Sequence, residues 1–188
     1  MGKVYFGMIQ SLDGFVADSN GELKKLFASY VPHEGIPAAM ENTGAVVMGR
    51  NTFEMAEDTD AYADNYEFQV PLFILTHNSP ARHPKENEQL TITFVEDGIE
   101  QAISLAKAAA NGKDVLVLGA STGQQLLAAG LADELQIAIA PILLGRGIRL
   151  FEGLENQEIH LEKLHTFETE QQVEIWYKVM EQKEAFPN

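Results

Sequence analysis

The amino-acid sequence predicts an α/β fold with a mostly parallel central sheet and an antiparallel hairpin at its C-terminal end. Three observations predict it. Short apolar runs alternate with helical patterns, glycine follows two of these runs, and the chain ends in two strand patterns joined by a polar turn. Unbroken apolar runs are typical of strands buried on both faces, as in parallel sheets. Since the sequence shows no repeat or linker, we expect residues 1–188 to form a single domain.

The strands are predicted from apolar runs rich in β-branched and aromatic residues. In chain order they cover residues 3–9, 45–48, 71–76, 90–95, 115–118 and 134–140. The last two patterns, at 159–168 and 172–180, flank a polar turn. Apolar residues in the second of them alternate with polar ones except at Trp176, which indicates an antiparallel hairpin at a sheet edge.

The helices are predicted from apolar stripes and from residues suited to their ends. Two short helices are expected at 23–30 and 36–42, and a third is expected to begin with Asn51 as its N-cap. Asp97 is expected to cap the clearest amphipathic helix, which ends near residue 111. The last helix follows Gly119 and Ala120, with Ser121 as its N-cap, Gln124 completing a capping box and Gly130 as its stop.

Two units of strand, glycine and helix stand out, one ending in Gly49 and Arg50 and the other in Gly119. The helix N-termini of such units lie at the carboxyl edge of the sheet, where free N–H groups favour a phosphate. Neither unit carries a dinucleotide fingerprint or a P-loop motif. A tight turn without a ligand therefore explains the second unit as well as phosphate binding does.

Composition excludes several classes of function. The net charge of −15 argues against binding to nucleic acid or to an anionic membrane surface. The absence of cysteine excludes disulfides, thiolate metal sites and a cysteine nucleophile. No histidine or carboxylate spacing suggests a metal site. Neither a long apolar run nor a signal-peptide pattern is present, so we expect a cytoplasmic protein.

Five motifs in this order resemble the dihydrofolate reductase-like family, whose fold has three layers, α/β/α. They are residues 11–17, 46–54, 72–76, 115–119 and 141–151. The closest similarity is to the C-terminal reductase domain of the bifunctional riboflavin-biosynthesis protein and to its stand-alone relatives. The resemblance covers nearly the whole chain. It implies a reductase that acts on a pyrimidine- or pterin-like heterocycle with NADPH as cofactor.

The resemblance also implies site residues by matching position. Those implied for the cofactor are Ile9, Val16, Ala17, Gly49, Arg50, Thr52, Thr76, His77, Gly119, Ala120, Ser121, Thr122, Gly123 and Gln124. Among these, the stretch after Gly119 would hold the pyrophosphate, and Thr76 and His77 would lie near the adenosine 2′-phosphate. Those implied for the substrate are Ser11, Asp13, Gly14 and Phe15.

The sequence does not identify the catalytic residue. Asp13 is a candidate, but an aspartate in an Asp-Gly turn shapes the turn as often as it touches a substrate. Stand-alone relatives often carry an Asp-Trp pair where this chain has Lys24 and Lys25, so no acid follows from that motif. A non-catalytic module that binds a nucleotide is the alternative to a reductase.

The resemblance suggests 5-amino-6-(5-phosphoribosylamino)uracil as the first candidate substrate and dihydrofolate as the second. We also expect a homodimer, because the predicted hairpin carries the aromatic residues Phe167, Trp176 and Tyr177 at a sheet edge that needs cover.

Overall fold

The computed structural model describes residues 2–28, 30–154 and 157–180. Ten strands are found there: β1 Val4–Ser11, β2 Phe15–Ala17, β3 Thr43–Gly49, β4 Leu72–Leu75, β5 Ile92–Val95, β6 Asp114–Leu118, β7 Glu134–Ala140, β8 Ile148–Arg149, β9 Leu161–Glu168 and β10 Val173–Val179. The α-helices in the same part of the chain are α1 Lys24–Phe27, α2 Ile36–Asn42, α3 Arg50–Phe53, α4 Tyr62–Asn65, α5 Ile99–Ala109 and α6 Ala120–Ala128. A 3₁₀ turn at Thr59–Ala61 precedes α4.

Eight strands form the main sheet, in the order β5-β4-β3-β6-β1-β7-β10-β9. The first six are parallel to one another, and β10 runs antiparallel to both β7 and β9. The mostly parallel sheet with an antiparallel C-terminal hairpin is therefore confirmed. Because β3, β6 and β1 are neighbours, the turns that follow β3 and β6 meet at the same edge of the sheet.

The two faces of the sheet bury different sets of side chains. Helices α5 and α6 cover one face, where Ile103 and Leu126 pack with Phe6, Val47 and Val117. On the opposite face Tyr5, Met48, Ile74 and Leu116 pack with Phe53 and the aromatic residues around α4. This second face is less completely covered, and the cavity described below lies over it. Alternation of side chains along each strand sends successive residues to opposite faces.

The predicted helix caps are wrong at three places. Gly49, Gly98 and Gly119 are the N-caps of α3, α5 and α6, and none of these helices has a side-chain cap. Each helix begins one or two residues away from the predicted cap: Asn51 and Ser121 lie inside their helices, and Asp97 lies before its helix. At two of these positions the backbone requires glycine, because Gly98 and Gly119 have φ values of 90° and 94°, which residues with a side chain rarely adopt.

The sequence did not indicate the small sheet formed by β2 and β8. These strands pair antiparallel, with Phe15 opposite Arg149 and Ala17 opposite Ile148. Gly147 allows the approach, since a Cβ there would meet the carbonyl oxygen of Ala17. This pairing fixes the glycine-rich loop after β7 against the loop after β1, so both loops border the carboxyl edge of the main sheet.

The homodimer remains a prediction, although its basis changes. Trp176 packs on Tyr5, with ring centroids 5.4 Å apart, and Phe167 stacks on His33. Both aromatic side chains therefore pack against residues of the same chain and do not by themselves call for a second copy. Strand β9 lies at the end of the sheet and leaves Leu161 and Leu164 exposed.

An exposed edge strand of this kind offers unpaired backbone groups to a second copy. We expect light scattering to report a dimer, and the double variant Leu161→Lys and Leu164→Lys to be monomeric because two lysines block edge pairing. A wild-type monomer over a wide concentration range would rule out the dimer.

Candidate functional site

A cavity of about 1160 Å³ runs across the less covered face of the sheet. One end lies at the carboxyl ends of β3 and β6 and is lined by glycine turns, and we call it the glycine end. The other end lies over the middle of the sheet and is lined largely by aromatic and apolar side chains, and we call it the aromatic end. Ile9, Val16 and Ala17 belong to the lining as well.

Two glycines bring the backbones at the glycine end close together. A Cβ at Gly49 would lie 2.8 Å from the hydroxyl oxygen of Thr122, and a Cβ at Gly119 would lie 2.5 Å from that of Thr52. The turn after β3 and the turn after β6 therefore touch through two threonine hydroxyls. Both glycines belong to the cavity lining, and a side chain at either would collide with one of these hydroxyls.

The N-terminus of α6 opens into this end of the cavity. Ala120, Ser121 and Thr122 belong to the lining, and no side chain caps the helix. The first N–H groups of a helix have no partner within it, and the helix dipole adds a partial positive charge. The nine-residue helix α6 therefore presents donors suited to an anion such as a phosphate.

Arg50 adds a fixed positive charge to the glycine end. Its Nε donates to Glu54 at 2.7 Å, and one terminal nitrogen donates to the carbonyl oxygen of Asn78 at 2.7 Å. Thr76, which is buried, and His77, which is exposed, follow β4 and lie in the same lining. The guanidinium is thus held beside the turn that follows β4, with its other N–H groups available to a ligand.

Gly123 and Gln124 do not line the cavity, in contrast to the four residues before them. A Cβ at Gly123 would collide with the ring of Phe6, so this glycine allows α6 to pack on the sheet. Gln124 donates through Nε2 to the carbonyl oxygen of Leu150 at 3.0 Å. The helix has turned these two residues away from the cavity, and the structure indicates structural roles for both.

The residues implied for the substrate also lie outside the lining: Ser11, Asp13, Gly14 and Phe15. Ser11 donates to Asp13 at 2.6 Å and accepts from the backbone N–H of Phe15 at 2.9 Å. The Asp13 carboxylate also accepts from the backbone N–H groups of Leu144 and Gly145.

Asp13 is therefore held as an anion that ties two loops together. The hydrogen bond from Ser11, assisted by those from the two backbone N–H groups, lowers the pKa of Asp13 to about 2. A carboxylate with so low a pKa is a poor proton donor at neutral pH. The geometry favours the turn-forming alternative for this residue over the catalytic one.

The aromatic end was not predicted from the sequence. Its lining includes Phe27, Tyr30, Ile36, Met40, Tyr62, Tyr66 and Phe68 together with Tyr5 from the sheet. Burial raises the pKa of Tyr5 to about 12, and it also raises the pKa values of Tyr30, Tyr62 and Tyr66. These hydroxyls are thus neutral at physiological pH. Flat apolar walls with neutral hydroxyls suit an aromatic ring better than a sugar or a peptide.

Two polar residues, Gln136 and Glu174, stand out at the aromatic end, and no motif in the sequence selects either of them. Gln136 comes from β7, and Glu174 comes from the adjacent strand β10, where it is buried. Glu174 is one of the alternating polar residues of the hairpin pattern. The loop 31–35 packs on the hairpin here, through the contact of Val31 with Gln172 and that of His33 with Glu174.

The described part of the chain contains no group of histidines and carboxylates arranged to hold a metal ion. The acidic side chains near α4 are instead used in ion pairs, Asp60 with Arg82 and Asp64 with Lys85. Within the same residues, no helix has both the length and the apolar character needed to cross a membrane.

The strand order and the C-terminal hairpin define a dihydrofolate reductase-like fold. Dihydrofolate reductase from Enterococcus faecalis, solved with NADP(H), is 15% identical, with a TM-score of 0.61 over 95% of this chain and 96% of that one. The chain belongs to the RibD C-terminal domain family, whose sequence pattern matches residues 2–175.

Two further similarities agree with this family. A crystal structure from Shewanella sp. PV-4, provisionally assigned to riboflavin biosynthesis, is 25% identical. The similarity covers 95% of this chain and 99% of that one, with a TM-score of 0.76. The uncharacterized protein YyaP of Bacillus subtilis (strain 168) is 26% identical over 169 residues, which is 87% of each chain.

Proposed function

We propose that this protein is an NADPH-dependent reductase that acts on a flat nitrogen heterocycle of the pyrimidine or pterin class. The observation that carries the proposal is the continuous cavity that joins the glycine end to the aromatic end. Its volume of about 1160 Å³ is above the roughly 300–1,000 Å³ of ordinary small-molecule sites, so a dinucleotide and a second ring can share it. Membership of the RibD C-terminal domain family also supports a reductase function.

The residues at the glycine end fit a dinucleotide. The N-terminus of α6, with Ser121 and Thr122, would hold the pyrophosphate, and Gly49 and Gly119 allow the turns after β3 and β6 to lie close together beside it. Arg50 would pair with a phosphate through its remaining N–H groups. His77 is exposed and belongs to the turn after β4 that Arg50 contacts, so it would lie near the adenosine 2′-phosphate, whereas the hydroxyl of Thr76 donates to the carbonyl oxygen of Asn78.

The bound cofactor would supply a hydride from its reduced nicotinamide ring. The chain's own part is to place the acceptor ring beside that cofactor and to exclude water. Ile9, Val16 and Ala17 are suited to this because they are buried and apolar and belong to the lining. The aromatic end would hold the acceptor, for which 5-amino-6-(5-phosphoribosylamino)uracil is the first candidate and dihydrofolate the second.

We expect saturating NADPH to raise the melting temperature of the protein. A ligand that binds only the folded state stabilises it by mass action, by about 2.7 kcal/mol at a concentration 100 times its Kd. Thermal unfolding followed by circular dichroism checks this, with NADH as the comparison. An unfolding curve that neither cofactor moves would contradict the proposed function.

The alternative is a module that binds a dinucleotide without catalysis. Asp13 favours this alternative to the extent that its carboxylate is held away from the cavity as an anion. Absorbance at 340 nm separates the two functions, because a reductase oxidises NADPH when a suitable heterocycle is added. Stabilisation by NADPH without oxidation in the presence of pyrimidines and pterins would identify the binding module.

A further inference from the structure

The aromatic end of the cavity contains a carboxylate whose two oxygens have different surroundings. The side chain of Glu174 is only 3% exposed. Its Oε1 accepts a hydrogen bond from Gln136 Nε2 at 2.9 Å and another from the indole nitrogen of Trp176 at 2.8 Å. Both donors lie on the strand pair β7 and β10, so the sheet itself fixes the direction of the carboxylate.

His33 lies close to the same oxygen of Glu174. Its side chain is 5% exposed, and its ring stacks on Phe167 with centroids 4.0 Å apart. The backbone N–H of Gly35 donates to His33 Nδ1 at 3.1 Å, so the ring hydrogen belongs on Nε2. That nitrogen lies 2.9 Å from Glu174 Oε1, although without the alignment of a hydrogen bond. His33 therefore closes one side of Glu174 Oε1 without satisfying it.

The other oxygen, Glu174 Oε2, receives no hydrogen bond from the described residues, and it is not among the fully enclosed unpaired atoms found there. The same holds for the amide oxygen of Gln136, whose nitrogen must face the carboxylate. That amide oxygen lies beside Gly7, 3.1 Å from where a Cβ would be. Both residues line the cavity, so two neighbouring acceptors, which we call the acceptor pair, are open to a ligand.

The burial of the Glu174 carboxylate favours a ligand that donates hydrogen bonds to the acceptor pair. A buried carboxylate is costly unless donors compensate it, and here the protein compensates only one of its oxygens. The Tyr5 hydroxyl does not compensate the other oxygen, because it pairs with Thr43 at 2.8 Å. The negative charge of Glu174 contributes to the raised pKa values of Tyr5 and Tyr30 after the larger effect of burial, which places the charge close to both rings.

We propose that the acceptor pair, Glu174 Oε2 and Gln136 Oε1, binds two adjacent N–H donors on the edge of a 2-amino-substituted heterocycle. A 2-amino-4-oxopyrimidine ring or a pterin offers such an edge, with an exocyclic amino group next to a ring N–H. The N3–H edge of a uracil instead places carbonyl oxygens on both sides of that N–H, and these would face the carboxylate. In 5-amino-6-(5-phosphoribosylamino)uracil the only paired donors on the ring edge are N1–H and the 6-amino N–H, and that edge carries the ribosyl phosphate. The acceptor pair therefore favours dihydrofolate, the second candidate substrate, over this uracil. The inference rests on the proposed function, since it names the substrate class of the same cavity.

Two pteridines that differ at one position test this inference. Pterin carries a 2-amino group where lumazine carries a 2-oxo group, and both are fluorescent, so binding to the full-length protein can be titrated without cofactor. We expect the wild-type protein to bind pterin about ten- to a hundredfold more tightly than lumazine, as befits hydrogen bonds to a charged group. In Glu174→Gln, which keeps the shape but replaces Oε2 by a donor, this preference should disappear.

Two further variants keep the test decisive. Gln136→Met removes the other acceptor at similar volume and should also reduce the preference, even if Glu174→Gln fails to fold. Glu67→Gln neutralises an exposed carboxylate of the same lining and should keep the preference, because Glu67 does not belong to the acceptor pair. Equal binding of the two pteridines by the wild type, or an unchanged preference in both Glu174→Gln and Gln136→Met, would overturn the inference.

The experiments distinguish a failure of the proposed function from a failure of this inference. If NADPH did not bind while the pterin preference and its loss in Glu174→Gln were observed, the acceptor pair would stand and the reductase would not. If NADPH bound and was oxidised while pterin and lumazine bound equally, the reductase would stand and the substrate class would be wrong. Retained NADPH stabilisation in Glu174→Gln would show that the variant is folded.

Discussion

Gly119→Ala is expected to lose NADPH affinity by at least about tenfold, which corresponds to ~1.4 kcal/mol. The added Cβ would lie 2.5 Å from the hydroxyl oxygen of Thr52, so the turn after β6 or the turn after β3 must move. Either movement displaces the N-terminus of α6, which is the proposed pyrophosphate site. The backbone at φ 94° adds strain of about 1–3 kcal/mol, which should lower the stability of the fold as well.

Gly112→Ala is the matched control for this variant. Gly112 has a φ of 85°, a Cβ there would meet nothing within 4 Å, and the residue does not line the cavity. It should lose stability through backbone strain but bind NADPH with unchanged affinity. Affinity is measured by calorimetric titration at a temperature where both variants are folded. Normal NADPH binding by Gly119→Ala would contradict the placement of a phosphate between the two glycine turns.

Arg50→Ala is expected to weaken NADPH binding by about 1.5–3 kcal/mol, the range for hydrogen bonds to charged groups. That is about one to two decades in Kd. The physical reason is that a guanidinium held beside the glycine end can donate paired hydrogen bonds to a phosphate, which lysine cannot copy. Folding should change little, because the ion pair of Arg50 with Glu54 is exposed and such pairs contribute little stability.

Arg82→Ala provides the control for charge. Arg82 pairs with Asp60 away from the cavity lining, so its removal changes the net charge equally without removing a proposed phosphate contact. Calorimetric titration should give this variant the wild-type affinity. If Arg50→Ala and Arg82→Ala lost affinity equally, the effect would be one of overall charge. If Arg50→Ala unfolded the protein, Arg50 would be structural and its lost binding would say nothing about the cofactor.

The sheet was predictable because its strands carry their own signal. Fully buried parallel strands need unbroken apolar runs, and β3, β6 and β7 fall within about two residues of the predicted ranges. The helix starts were less predictable, since a polar residue near a helix N-terminus does not show whether it caps the helix. At Gly98 and Gly119 the backbone takes a conformation that glycine alone adopts readily, and this decided the helix start.

The candidate site was predictable only where it follows a strand end. The cavity lining contains Gly49, Arg50, Thr52 and residues 119–122, which the resemblance assigns to the cofactor and which follow the ends of β3 and β6. Gly123 and Gln124, the next two residues of α6, do not line the cavity. The aromatic end was not found, because its residues come from short helices and loops far apart in the sequence. Glu174 and His33 are separated by most of the chain, and no spacing rule could have brought them together.

The most direct test of the proposed function is a crystal structure of the protein soaked with NADPH. We predict electron density along the cavity, with the pyrophosphate at the N-terminus of α6, a phosphate beside Arg50 and the nicotinamide near Ile9 and Ala17. The aromatic end, with Glu174 and Gln136, should remain free for a second ring. Density for NADPH elsewhere on the protein, or a cavity without density at a concentration that saturates binding in solution, would contradict the account.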